Sequence, residues 1–136
     1  MEQVHTMSRF CHNPSLGLLL IRIVTGFTFV HHGWLKYGNV AGTMKFMAAI
    51  GLPEYMAYAI IAVEILGGLM LIFGVLARVA GVATGIAMLV AVALATYPNR
   101  GLLGSEFEIL LMAVSFGVAL TGAGEYRLLH MFEHQK

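Results

Sequence analysis

Four apolar stretches decide what this chain can become: residues 16–33, 55–76, 79–97 and 107–122. A helix crossing a bilayer needs about 20 mostly apolar residues, because each residue advances it only about 1.5 Å through a hydrocarbon layer about 30 Å thick. The four stretches come close to that length and leave little of the 136 residues outside them. Composition points the same way: 59% of residues are hydrophobic, 11% are charged and the mean hydropathy is +0.82. A soluble domain carries about 25% charged residues. The sequence therefore predicts an all-α integral membrane protein: a four-helix transmembrane bundle with an interfacial segment between its first and second spans. A polar tail over 1–15 precedes the membrane domain at 16–124, and a second tail covers 125–136.

So little chain lies outside the spans that no soluble catalytic domain, nucleotide-binding unit or nucleic-acid module fits there. A net charge of +1 gives no polyanion signal. Cys11 is the only cysteine, which excludes an internal disulfide, a CxxC redox pair and a cysteine-based metal site. The first apolar run is too long for a typical signal-peptide core, carries Arg22 and is followed by no small-residue cleavage pattern, so it is expected to remain as the first helix.

Between the first two spans, residues 34–56 contain Phe46, Met47, Ile50 and Leu52, too few and too broken to cross. They read as an amphipathic segment at the interface, ended by Gly51, Leu52 and Pro53. The second and third spans join almost directly around Gly74 to Arg78, as a tight antiparallel hairpin. Ala77, Gly81 and Gly85 on the third span follow small-xxx-small spacing, which lets helix backbones approach closely in lipid. The loop at 97–108 is expected to break the helix at Pro98 and Gly101. Four crossings put both termini on one side with Arg9, Arg78, Arg127 and Lys136, against Lys36, Lys45 and Arg100 on the other. The positive-inside rule then favours cytosolic termini by one charge.

Polar groups inside apolar runs carry the functional argument. On the first span Arg22, Thr25, Phe29, His32 and Lys36 share one helical face, while His31 points away. On the second, the run "AVEILGGLML" holds Glu64 among apolar residues. An unpaired ion there costs roughly 3 kcal/mol on insertion scales, so an Arg22–Glu64 pair is the first expectation. That pair either staples two helices or, with His32, lines a polar pocket for a ligand, an anion or a proton. Gly67 and Gly68 either pack closely against a neighbouring helix or leave space for a flat ligand beside the carboxylate. His32, Lys36, Tyr37, Arg100, Glu106 and Glu108 can converge at the end of the bundle opposite the termini, where belt aromatics are equally expected. No metal site is assigned: the adjacent His31 and His32 lack ligand spacing, and no HExxH occurs. The nine methionines are scattered and read as packing.

Taken together, "LLLIRIVTGFTFVHHGWLKYG", "IGLPEYMAYAIIAVEILGGLMLIFGVLARVAGV" and "GSEFEILLMAVSFGVALTGAGEYRL" resemble the DoxX family of small four-helix bacterial and archaeal membrane proteins. The resemblance runs from Leu16 to Leu129. Its elements are Arg22, His32 with Gly33, Lys36, the Gly51-Leu52-Pro53 turn, Glu64, Gly67 with Gly68, Gly74, Arg78, Glu106 and the Gly122-Ala123-Gly124 turn. It implies a multi-pass cytoplasmic (inner) membrane bundle linked to quinone-dependent redox systems. No intrinsic cofactor is expected, and a quinone is the candidate ligand.

Two functional readings follow. In the first, the chain is an auxiliary subunit of a membrane oxidoreductase. Glu64, Arg22 and His32 form its polar site, and Gly67, Gly68, Lys36 and Glu106 line a quinone pocket. A redox partner subunit supplies electrons, since the chain has no paired cysteines of its own. A titratable group within hydrogen-bond reach of a quinone oxygen could act as general acid or base. In the second, the chain is a non-catalytic scaffold or small-solute carrier and the Arg22–Glu64 pair is purely structural, although no internal repeat or interrupted helix pair of the transporter kind is present. Lipid is a contact in either reading, and the glycine faces also offer a surface for self-association.

Overall fold

The computed structural model describes residues 12–128, so Cys11 and most of the two expected tails lie outside the described residues. Helix α1 spans Pro14–Tyr37. It starts where the Asn13 side chain accepts a hydrogen bond from the Leu16 N–H at 3.1 Å and Pro14 occupies the first turn, where its missing N–H costs nothing. The short α2 (Val40–Ala49) begins in the same way, with Asn39 Oδ1 accepting from the Gly42 N–H at 3.0 Å. Helix α3 is Met56–Phe73, α4 runs Ala77–Arg100, and α5 is Glu106–Thr121 after a 3-10 turn at Leu103–Ser105. Helices α1, α3 and α4, together with α5 and its leading turn, are long and apolar enough to cross a membrane. The chain is a four-span, all-helical membrane protein in which α2 is the interfacial segment between the first two spans.

Helix α3 stops at Gly74, whose φ of 69° an L side chain adopts only with strain. The chain then reverses within 74–76. Leu76, at φ 47°, is the one non-glycine residue with positive φ among those described. The expected break at Pro98 does not occur. Helix α4 is regular to Ala91, opens into a π turn over Val92–Thr96 in which the Tyr97 N–H donates to the Val92 carbonyl, and continues to Arg100. Proline lacks an N–H and its ring collides with the carbonyl four residues back; the widened turn accommodates it. Asn99 Nδ2 donates to the Ala95 carbonyl at 2.6 Å, and the helix ends at Gly101, φ 68°.

Glycines set the helix spacing. A Cβ built on Gly26 would sit 2.5 Å from the Gly68 carbonyl oxygen, and one on Gly68 would sit 2.6 Å from that of Gly26, so α1 and α3 meet backbone to backbone. Gly33 packs equally closely on Ile65 and on Glu64. Gly81 of α4 lies against the Ser115 carbonyl of α5, and Gly85 against the Phe116 ring. Phe29, Leu71, Ala80, Met88, Leu111 and Val118 fill the centre. Leu20, Phe27, Leu66, Val79 and Leu110 point outward, as side chains facing lipid tails should.

Candidate functional site

The carboxylate in the second span is fully inside: Glu64 is 1% exposed. Its partner is Lys36, not Arg22. Lys36 Nζ donates to Glu64 Oε1 at 2.7 Å and Oε2 at 2.6 Å, the one ion pair among the described residues. The expected Arg22–Glu64 pair fails because of register. With Gly26 locked on Gly68, the residue of α1 level with Glu64 is Gly33, about 16 Å along the helix from Arg22 at 1.5 Å per residue. Lys36 is one turn beyond Gly33 on the buried face, and its flexible stem spans the remaining gap.

Arg22 belongs to the other end of the bundle. It is completely buried, donates from Nη1 to the Ala123 carbonyl and from Nη2 to the Tyr126 carbonyl at 2.7 Å, and abuts Gly74 at the end of α3. The backbone carbonyls of Ala123 and Tyr126, instead of a carboxylate, face its charge.

Beside the Lys36–Glu64 pair lies a cavity of about 390 Å³. The π turn and neighbouring residues of α4 wall one side, and Phe46, Met47 and Ile50, on and just after α2, cover another. Phe29 and Phe107 supply flat apolar surface. The polar groups are few: His32, Lys36, Glu64, Glu108, Thr96 and Arg100. The His32 ring lies 5.6 Å, centroid to centroid, from the Phe107 ring. Glu108 Oε2 is buried without a hydrogen-bond partner. A predominantly apolar slot with a few convergent polar groups, at the lower end of the 300–1,000 Å³ range, is the usual form of a small-molecule site.

The structure thus gathers His32, Lys36 and Glu64 on one cavity and leaves Arg22, Gly67, Gly68 and Glu106 outside it. Gly67 packs on the Thr84 methyl group and Gly68 on α1, so the space left by their missing side chains is filled by neighbouring helices. Glu106 is exposed. Glu108 takes the inward place because it shares a helical face with Leu111 and Ser115, both buried. That periodicity is readable in the sequence and would have chosen Glu108 over Glu106. The covering role of α2 has no such signal, since it depends on how the segment folds back. Among the described residues, no group of three or more His, Cys, Asp or Glu side chains is placed to hold a metal ion.

A four-span bundle with an ion pair on a buried carboxylate beside an apolar cavity defines the class: a small multi-pass membrane protein with room for a ligand between its helices. The family model for DoxX matches residues 17–97, and the chain belongs to the DoxX family. The matched region holds Arg22, His32, Lys36 and Glu64 and ends just before Pro98. Among curated proteins, the chain is 37% identical over 108 residues to the "Putative oxidoreductase CatD" of Bacillus subtilis, covering 79% of this chain and 81% of that one. It is 32% identical over 117 residues to the "Inner membrane protein YqjF" of Escherichia coli, covering 83% and 89% respectively. No solved structure matches the chain.

Proposed function

We propose that this protein is an auxiliary subunit of a quinone-linked oxidoreductase system in the inner membrane, with the quinone headgroup held in the cavity beside Lys36 and Glu64. The observation that carries this reading is an apolar slot lined by both an unpartnered buried carboxylate oxygen on Glu108 and the Lys36–Glu64 carboxylate–ammonium pair. Flat aromatic surface suits a quinoid ring. The Lys36 ammonium has three N–H donors and gives two to Glu64, leaving one for a carbonyl oxygen. Glu108 Oε2 can accept from a hydroxyl, and His32 can hold or release a proton at the same wall. Bound there, a quinone would supply two-electron redox chemistry; a partner subunit supplies the electrons. The relative bearing an oxidoreductase name supports a redox setting, and the one named an inner membrane protein supports the location. Both termini are assigned to the cytosol on the charge bias of the loops.

The test is titration of the purified protein with a short-chain quinone. Saturable binding is expected, weakened about tenfold by Glu108→Gln and by the charge-neutral double substitution Lys36→Met with Glu64→Leu, and unchanged in Glu106→Gln. If a quinone does not bind to the folded wild-type protein, the reading fails and the ion pair serves only to fasten α1 to α3.

A further inference from the structure

The end of the bundle far from the cavity gathers three arginines around two glycine turns. At Gly74, the point a Cβ would occupy is 2.9 Å from Arg22 Nη1 and 3.1 Å from Arg127 Cβ. At Gly122, which closes α5 with φ 83°, the equivalent point is 3.1 Å from Arg78 Nε. Since Arg22 also donates to the carbonyl of Ala123, the guanidinium groups of Arg22 and Arg78 flank the same short turn.

Nothing anionic balances them among the described residues, where Lys36–Glu64 is the sole ion pair and Glu125 joins none. Helix dipoles do not supply the balance either. Helices α3 and α5 end on this face while α1 and α4 begin on it, so their contributions offset one another. Arg22 is fixed and fully buried, and its Nε–H has no hydrogen-bond partner. Arg78 and Arg127 are exposed beside the turn that joins the α3 and α4 spans, and lipid headgroups lie at the ends of membrane-crossing helices. Planar guanidinium donors in excess of acceptors, one held in place and two exposed beside the same turns, are the chemistry that recognises phosphate.

We propose that Arg22, Arg78 and Arg127 form a phosphate site at the membrane surface that takes the phosphodiester headgroup of an anionic lipid. The test uses the full chain purified in neutral detergent and titrated in three arms: phosphatidylglycerol, phosphatidylcholine and inorganic phosphate. Phosphatidylglycerol should bind saturably and raise the unfolding temperature, with phosphatidylcholine at least tenfold weaker. Arg78→Gln with Arg127→Gln, both exposed, should weaken phosphatidylglycerol binding about tenfold, while Lys45→Gln at the other end leaves it unchanged. If inorganic phosphate competes at millimolar concentration, the phosphate site stands and the free ion is its ligand. The proposal is overturned if neither anion binds, if the double substitution has no effect, or if Lys45→Gln weakens binding as much.

Discussion

At the scale of single residues, the Lys36–Glu64 pair is the feature with the sharpest energetic consequence. Removing one member strands the other charge, which costs about 3–5 kcal/mol in a buried setting, whereas replacing both with apolar groups of similar volume is often neutral. Glu64→Ala is therefore expected to lower the unfolding temperature in detergent far more than Lys36→Met combined with Glu64→Leu, which should stay within about 1–2 kcal/mol of the wild type. Equal losses in the two variants would mean that the pair contributes through something other than its charges. The presence of a buried partner for Glu64 is legible in the sequence, because a lone carboxylate in an apolar run demands one. Its identity is not. Taking the helices to end at Leu16 and Leu76 slides α3 along α1 by a little over one turn relative to the observed contacts, enough to bring Arg22 within reach and to leave Lys36 out of the pairing.

At the scale of elements, what fixes that register is the contact of Gly26 with Gly68, and it can be tested against glycines that touch nothing. A methyl group on either residue would press on the other's backbone carbonyl, which has no rotamer by which to yield. Gly26→Ala and Gly68→Ala should each destabilise by about 2–3 kcal/mol, as overpacking commonly does, and less than additively when combined. Gly17→Ala and Gly117→Ala, helical positions with open space around them, should be neutral or stabilise by up to about 1 kcal/mol through helix propensity. Thermal unfolding of the four variants checks both halves of this expectation. The small-residue spacing on α4 was readable as a packing face, and it packs on Ser115, Phe116 and Ala119. The helical passage through Pro98 was not readable. A proline normally marks a helix boundary, and only the π turn before it, which has no sequence signature here, keeps the chain helical.

At the scale of the whole molecule, hydropathy made the four spans legible, since each has to satisfy its backbone polar groups internally and cover a fixed thickness of lipid. The topology makes a direct prediction. In a Cys11→Ser background, single cysteines at Gly51 and at Leu76 should be labelled by a membrane-impermeant thiol reagent from opposite faces of the membrane, with Leu76 on the cytosolic side. Labelling of both from one face would contradict the four-span arrangement, and Leu76 labelled only from outside would reverse the assigned orientation. The division of charge between α1 and α3 also has a consequence for how the protein is made. Helix α1 is the least apolar of the four spans and carries both Arg22 and Lys36, while the neutralising carboxylate arrives only with α3. On leaving the ribosome, the first segment faces the bilayer with a cation that costs roughly 3 kcal/mol to bury alone. Inserting α1 together with α3 is therefore expected to cost less than inserting α1 alone, because Glu64 then pairs with Lys36.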